Sequence, residues 1–168
     1  MRARWMLGAL GAMATLAMAP AMPASAQAEW GYSTEITNVA NGAHWVQSSG
    51  PAVESTKQPI HMLGDRAQWN VERQEDGTVT IRNMASNQCA ESLLEPNAPV
   101  FTAPCNKWDE AQRWSLSHRW DGFVITPAST PHLAVVASSD EYRSTQLVLG
   151  VRPYDSQDTP NAVFRLNY

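Results

Sequence analysis

The chain has 168 residues, of which 43% are hydrophobic and only 17% charged, with 12 Lys and Arg against 16 Asp and Glu. A sparsely charged chain of net charge −4 with no basic run is poorly suited to nucleic acid or to an anionic membrane surface. Its length suits a single domain large enough to bury a core without a structural metal.

The N-terminus reads as an export signal. Arg2 and Arg4 form a short positive region, Trp5 to Ala19 is an almost unbroken apolar run, and Pro20 and Pro23 break it. Ala24-Ser25-Ala26 then offers the small residues a signal peptidase requires, and Ala26-Gln27-Ala28 offers a second cut. The run is short of the ~20 apolar residues of a membrane span. No Cys follows it, which gives no support to a lipid anchor. Cleavage after Ala26 removes two of the basic residues and leaves ten against sixteen acidic, a net charge of −6 on residues 27–168. The expected location is extracellular or periplasmic.

The rest of the chain repeats itself. Ile36-Thr37-Asn38-Val39-Ala40, Ile81-Arg82-Asn83-Met84-Ala85 and Ile125-Thr126-Pro127-Ala128-Ser129 start 45 and then 44 positions apart. Each repeat ends on an aromatic residue with an aliphatic two places later: Trp69 and Val71, Trp114 and Leu116, Phe164 and Leu166. From Ile to aromatic the distances are 33, 33 and 39, so the third unit carries six extra residues. Asp76-Gly77 and Asp121-Gly122 each lie seven residues after a Trp, and Asp-Gly between alternating apolar residues signals a hairpin. Period-two stretches such as Val79-Thr80-Ile81, with recurrent Pro and no sustained helical period, read as about a dozen short strands.

A unit of 45 residues cannot bury its apolar face alone, so three must pack around one axis. Three propeller blades are too few, which leaves a closed threefold β assembly with Trp69, Trp114 and Phe164 as equivalent core residues. The repeats fall at about 32–76, 77–121 and 122–168.

Cys89 and Cys105 are the two cysteines, and in an exported chain they are expected to form one bridge. The rival is a reactive thiol paired with a His, which an oxidising compartment disfavours. His44, His61, His118 and His132 are scattered, with none of the close spacing of a metal site. Gly-x-Ser-x-Gly, His-Glu-x-x-His, Cys-x-x-Cys and phosphate-binding Gly-rich motifs are all missing from the sequence. The chain is read as a non-enzyme without cofactor or metal.

These repeats resemble the ricin B-type lectin family, whose motif is Gln-x-Trp near the end of a repeat, preceded by a Cys pair. Gln112-Arg113-Trp114 is a full match behind Cys89 and Cys105; Ala67-Gln68-Trp69 keeps only the Trp, and Ala162-Val163-Phe164 neither residue. The resemblance implies an all-β, pseudo-threefold β-trefoil spanning residues 27–168 and a glycan or glycoprotein as partner. Sugar-binding members place an acidic residue two positions after the first Cys. They also place an aromatic platform shortly before the second Cys, and an Asn just before the Gln.

At the acidic position the three repeats have Val46, Glu91 and Val135, so only the central repeat keeps a carboxylate for sugar hydroxyls. Thr102 to Pro104 supplies no aromatic platform, and Ala111 stands where Asn is expected. Trp108, in the polar loop between Cys105 and Gln112, either replaces the platform or folds back over the core. The candidate binding set is therefore Glu91, Asn97, Trp108, Asp109 and Gln112, with Trp120 as a second outward Trp on the Asp121-Gly122 hairpin. Trp45 is expected to pack where the first repeat lacks the bridge.

Three functions follow from the resemblance. The first is a secreted glycan-binding module using the central repeat. The second is a partner-binding accessory subunit, similar in architecture to the cell-binding subunits of cytolethal distending toxins. The third is a trefoil protease inhibitor whose reactive loop would lie at Asp140 to Arg143 or Pro153 to Thr159.

Overall fold

The computed structural model describes residues 31–137, 145–151 and 160–167. The Ile-x-Asn-x-Ala segments owe their recurrence to a buried turn. Asn38 Oδ1 accepts the backbone N–H groups of Ala40 and Asn41 at 3.1 and 3.2 Å, and Asn83 Oδ1 those of Ala85 and Ser86 at 3.0 and 3.3 Å. Each Asn thus closes the turn after a repeat's first strand, using donors that would otherwise be orphaned. Pro127 holds the corresponding place in the third repeat.

Thirteen short strands are present among the described residues. The first repeat supplies β1 (Gly31–Asn38), β2 (His44–Gln47), β3 (Val53–Thr56) and β4 (Gln68–Arg73). The second supplies β5 (Val79–Asn83), β6 (Cys89–Ser92), β7 (Val100–Ala103) and β8 (Trp114–His118). The third supplies β9 (Phe123–Pro127), β10 (Leu133–Val136), β11 (Thr145–Gln146), β12 (Val148–Val151) and β13 (Val163–Asn167).

Six strands close a ring: β1 pairs β4, β4 pairs β5, β5 pairs β8, β8 pairs β9, β9 pairs β13 and β13 returns to β1, all antiparallel. Closure removes free sheet edges from the barrel. The hairpins β2–β3, β6–β7 and β10–β12 form the cap, one per repeat. They are tied together by the bridges Ala52 to Phe101 and Pro99 to Val148 and by the pairing of β11 with β3. The expected threefold all-β assembly is what the chain forms.

The repeat-ending aromatics Trp69, Trp114 and Phe164 are fully buried, as are Ile36, Ile81 and Ile125. Trp69 Nε1 donates to the Trp45 carbonyl at 3.2 Å, and Trp114 Nε1 to the Ala90 carbonyl at 3.0 Å. The buried indole N–H is thereby satisfied by the same cap strand in both repeats. Phe164 needs no such acceptor. Trp45 does pack in the core, edge-on to Trp69 at 6.1 Å and to Phe164 at 5.3 Å between ring centroids.

The two Asp-Gly turns use glycine for different reasons. Gly77 sits at φ +83°, where a side chain is strained. Gly122 has no such φ, but a Cβ there would stand 2.4 Å from the Phe164 carbonyl oxygen, so the hairpin tip can approach β13 only without a side chain.

Candidate functional site

Alternation along β6 sends Ala90 and Ser92 inward and puts Cys89 and Glu91 on the other face. Directly opposite Glu91 on β7 is Phe101, partly exposed like Glu91 itself. Side chains opposed across antiparallel strands share a face, so an aromatic ring stands beside the carboxylate. Phe101 lies one residue outside the Thr102 to Pro104 window in which the sequence offered no platform. Only the strand register reveals it.

Gln112 completes this cluster from the 3-10 turn Glu110–Gln112, and it is 1% exposed. Its Nε2 donates to Glu91 Oε2 at 2.7 Å and to the Pro104 carbonyl at 3.0 Å. Its Oε1 accepts the Asn106 backbone N–H at 2.8 Å. With both ends of the amide engaged, the orientation of the group is determined and one carboxylate oxygen of Glu91 is held in place. Gln112 is the one hydrogen-bond partner of the Glu91 carboxylate among the described residues, which leaves Oε1 for a ligand. The Cys89–Cys105 disulfide ties the base of β6 to the same segment.

Trp108 is 77% exposed, so it does not fold back over the core. Its backbone N–H donates to Asn106 Oδ1 at 3.1 Å, and Lys107 Nζ lies 4.9 Å from its ring centroid. Arg113, the middle residue of the Gln-x-Trp match, anchors this loop. Its Nε and Nη2 donate to the Lys107 carbonyl at 3.3 and 3.2 Å, while Nη1 pairs with Asp76 Oδ2 at 2.6 Å. Asp76 accepts the side-chain and backbone donors of Thr78, which, with Arg113 adding less, hold its carboxyl below the ordinary aspartate range. A Trp-bearing loop is thus clamped to the Asp76-Gly77 turn of the preceding repeat, a link that spacing along the chain does not announce.

The other candidates stand apart from Glu91 or are otherwise occupied. Asp109 caps the 3-10 turn, accepting the Ala111 N–H at 2.9 Å. Asn97, at φ +62° on the β6–β7 hairpin tip, faces the third repeat through a backbone bond to the Leu149 carbonyl of 2.7 Å. Trp120 is 91% exposed in the turn between β8 and β9, and no hydrogen bond or ring contact joins it to the Glu91 cluster among the described residues.

The other repeats show what the site looks like without its polar groups. Forty-five residues before Glu91, Gln112, Trp108 and Cys105 stand Val46, Ala67, Leu63 and Ile60, and these four form an apolar cluster of their own. In the third repeat the phase shifts. Val135 packs in the main core with Leu149 opposite it, as Ala90 does beneath Glu91, so the register match to Glu91 is Val136 rather than Val135. The residue is aliphatic either way, and Ala162 takes the place of Gln112. The loops at 140–143 and 153–159, and the export signal at 1–26, lie outside the described residues. No helix among the described residues is long and apolar enough to cross a membrane.

Among solved structures, the agglutinin of Rhizoctonia solani is 16% identical with a TM-score of 0.66, over 80% of this chain and 93% of that one. The ricin B-like lectin of Macrolepiota procera, solved in complex with lactose, is 14% identical with a TM-score of 0.65, over 81% and 94%. The cytolethal distending toxin of Haemophilus ducreyi is 15% identical with a TM-score of 0.65, over 80% and 82%. No curated protein matches the sequence. The model of the ricin-type β-trefoil lectin domain-like family matches residues 65–150, just over half of the chain and the whole of the Glu91 cluster. The chain therefore belongs to the ricin-type β-trefoil lectin domain-like family.

Proposed function

We propose that this protein is a non-catalytic glycan-binding module whose working site is the central repeat. The observation that carries the reading is the hydrogen bond from buried Gln112 to Glu91, beside Phe101, with the Trp108 loop that precedes Gln112 clamped by Arg113. A carboxylate oxygen accepts hydroxyl hydrogen bonds, and an aromatic face packs the C–H side of a pyranose. Preorganisation lowers the ordering cost of binding. The first repeat has converted the same positions into an apolar cluster, which supports a single site.

The leader from Arg2 to Ala26, together with the disulfide, supports export to an oxidising compartment. A glycan array with the wild type and Glu91→Ala tests the binding. Loss of a charge-assisted bond of about 1.5–3 kcal/mol lowers affinity more than tenfold. Signals that survive both Glu91→Ala and Trp108→Ala would place the site elsewhere.

A second reading, docking of a protein partner, is supported by Trp120, whose large apolar side chain projects almost fully into solvent. Its test is co-purification from the native source. A partner lost with Trp120→Ala and kept with Glu91→Ala favours docking.

A further inference from the structure

A groove of about 390 Å³ opens between the β4–β5 hairpin and the loop after Cys105. Cys89 and Cys105 line its wall. Cys89 and Glu91 are two residues apart on β6 and share a face, so the groove begins roughly 6–7 Å from the Glu91 position. That is about the span of one sugar ring.

The floor is an ion pair between Glu72 and Arg82, with Asn70 Nδ2 donating to Glu72 Oε1 at 2.7 Å and Arg82 Nη1 donating to Asn87 Oδ1 at 2.6 Å. The pair cancels its own charge and leaves polar capacity unspent. Arg82 Nε is itself buried, so the groove's accessible donors come from its asparagines. The amide nitrogens of Asn87 and Asn106 are unspent among the described residues, because each uses only its oxygen, for Arg82 and for the Trp108 N–H respectively. Gln74, also in the lining, commits its Nε2 to Thr80 Oγ1 at 3.2 Å and keeps its oxygen. The groove therefore offers amide donors from Asn87 and Asn106 and an amide acceptor from Gln74.

A ligand that suits it must both donate and accept at closely spaced points, which is what ring hydroxyls do. We propose that the groove is a second saccharide subsite, taking the unit next to the one held at Glu91, so that the protein reads an oligosaccharide chain rather than a terminal sugar alone. The inference rests on the glycan-binding reading of Glu91.

The test is backbone NMR on the isotope-labelled protein. The probes are glucose, galactose, mannose and xylose and a linear tetrasaccharide of each. The expected result is that at least one monosaccharide shifts Glu91 and Gln112, and that its tetrasaccharide also shifts Asn87, Lys107 and Gln74. Asn87→Gly, which keeps the positive φ, combined with Gln74→Ala should then weaken the tetrasaccharide about tenfold and leave the monosaccharide unchanged. Tetrasaccharide shifts confined to Glu91 and Gln112 would overturn the subsite and leave the glycan reading standing. Shifts in the groove without any at Glu91 would make it an independent site and overturn its role as an extension. Silence at both clusters across the whole panel would overturn both readings.

Discussion

Gln112 donates to Glu91 at 2.7 Å from a position 1% exposed to solvent, while its own oxygen accepts the Asn106 N–H at 2.8 Å. The two side chains come from elements 21 residues apart, and the bond between them makes the carboxylate a fixed acceptor rather than a mobile surface charge. It also links the Gln-x-Trp motif to function. The Trp holds the barrel, and the Gln two residues earlier holds the site.

Gln112→Glu tests this coupling through pH. The substitution sets a second carboxylate against Glu91, and like charges at hydrogen-bond distance raise the apparent pKa of the pair. A carboxyl pair whose folded pKa is raised destabilises the fold above that pKa, and the deficit is relieved as pH falls and a proton binds. The variant should therefore melt well below the wild type at neutral pH and approach it in mild acid. Thermal melts across that range measure it; a deficit independent of pH would contradict the coupling.

Trp114 separates packing from hydrogen bonding. Trp114→Ala should cost about 3–5 kcal/mol by urea unfolding, the usual result of removing a large aromatic from a core. Trp114→Phe imitates the third repeat, keeping the ring and losing the bond to the Ala90 carbonyl, and should cost about 1–3 kcal/mol. Equal costs would mean that the indole N–H carries most of the effect.

The two turn glycines should respond unequally to alanine. Gly77→Ala meets open space and suffers only its φ of +83°, at a cost of about 1–2 kcal/mol. Gly122→Ala drives a methyl group into the Phe164 carbonyl at 2.4 Å and must displace the hairpin or β13. Unfolding midpoints should fall further for Gly122→Ala, and the reverse order would show that the hairpin yields easily.

The sequence by itself determined the threefold barrel, its aromatic core and the Cys89–Cys105 pairing. The barrel and its core are written locally and more than once, in an Ile and its Asn turn, an aromatic 33 residues on and a hairpin glycine after it, while the pairing follows from there being two cysteines. Glu91 and Gln112 could be singled out because they keep family positions that the other repeats have lost. What they do to each other could not be read there.

Only the tertiary structure decided that Phe101 stands beside Glu91, that Arg113 clamps the Trp108 loop to Asp76, and that Val136 rather than Val135 is in phase with Glu91. The reason is physical. Alternation along a strand is a local property, but the partner across the ladder depends on turn length, and one residue gained in a loop exchanges the two faces. The groove between Arg82 and Asn106 is built from residues of β4, β5 and β6 and of the loops beside them, so no single element contains it.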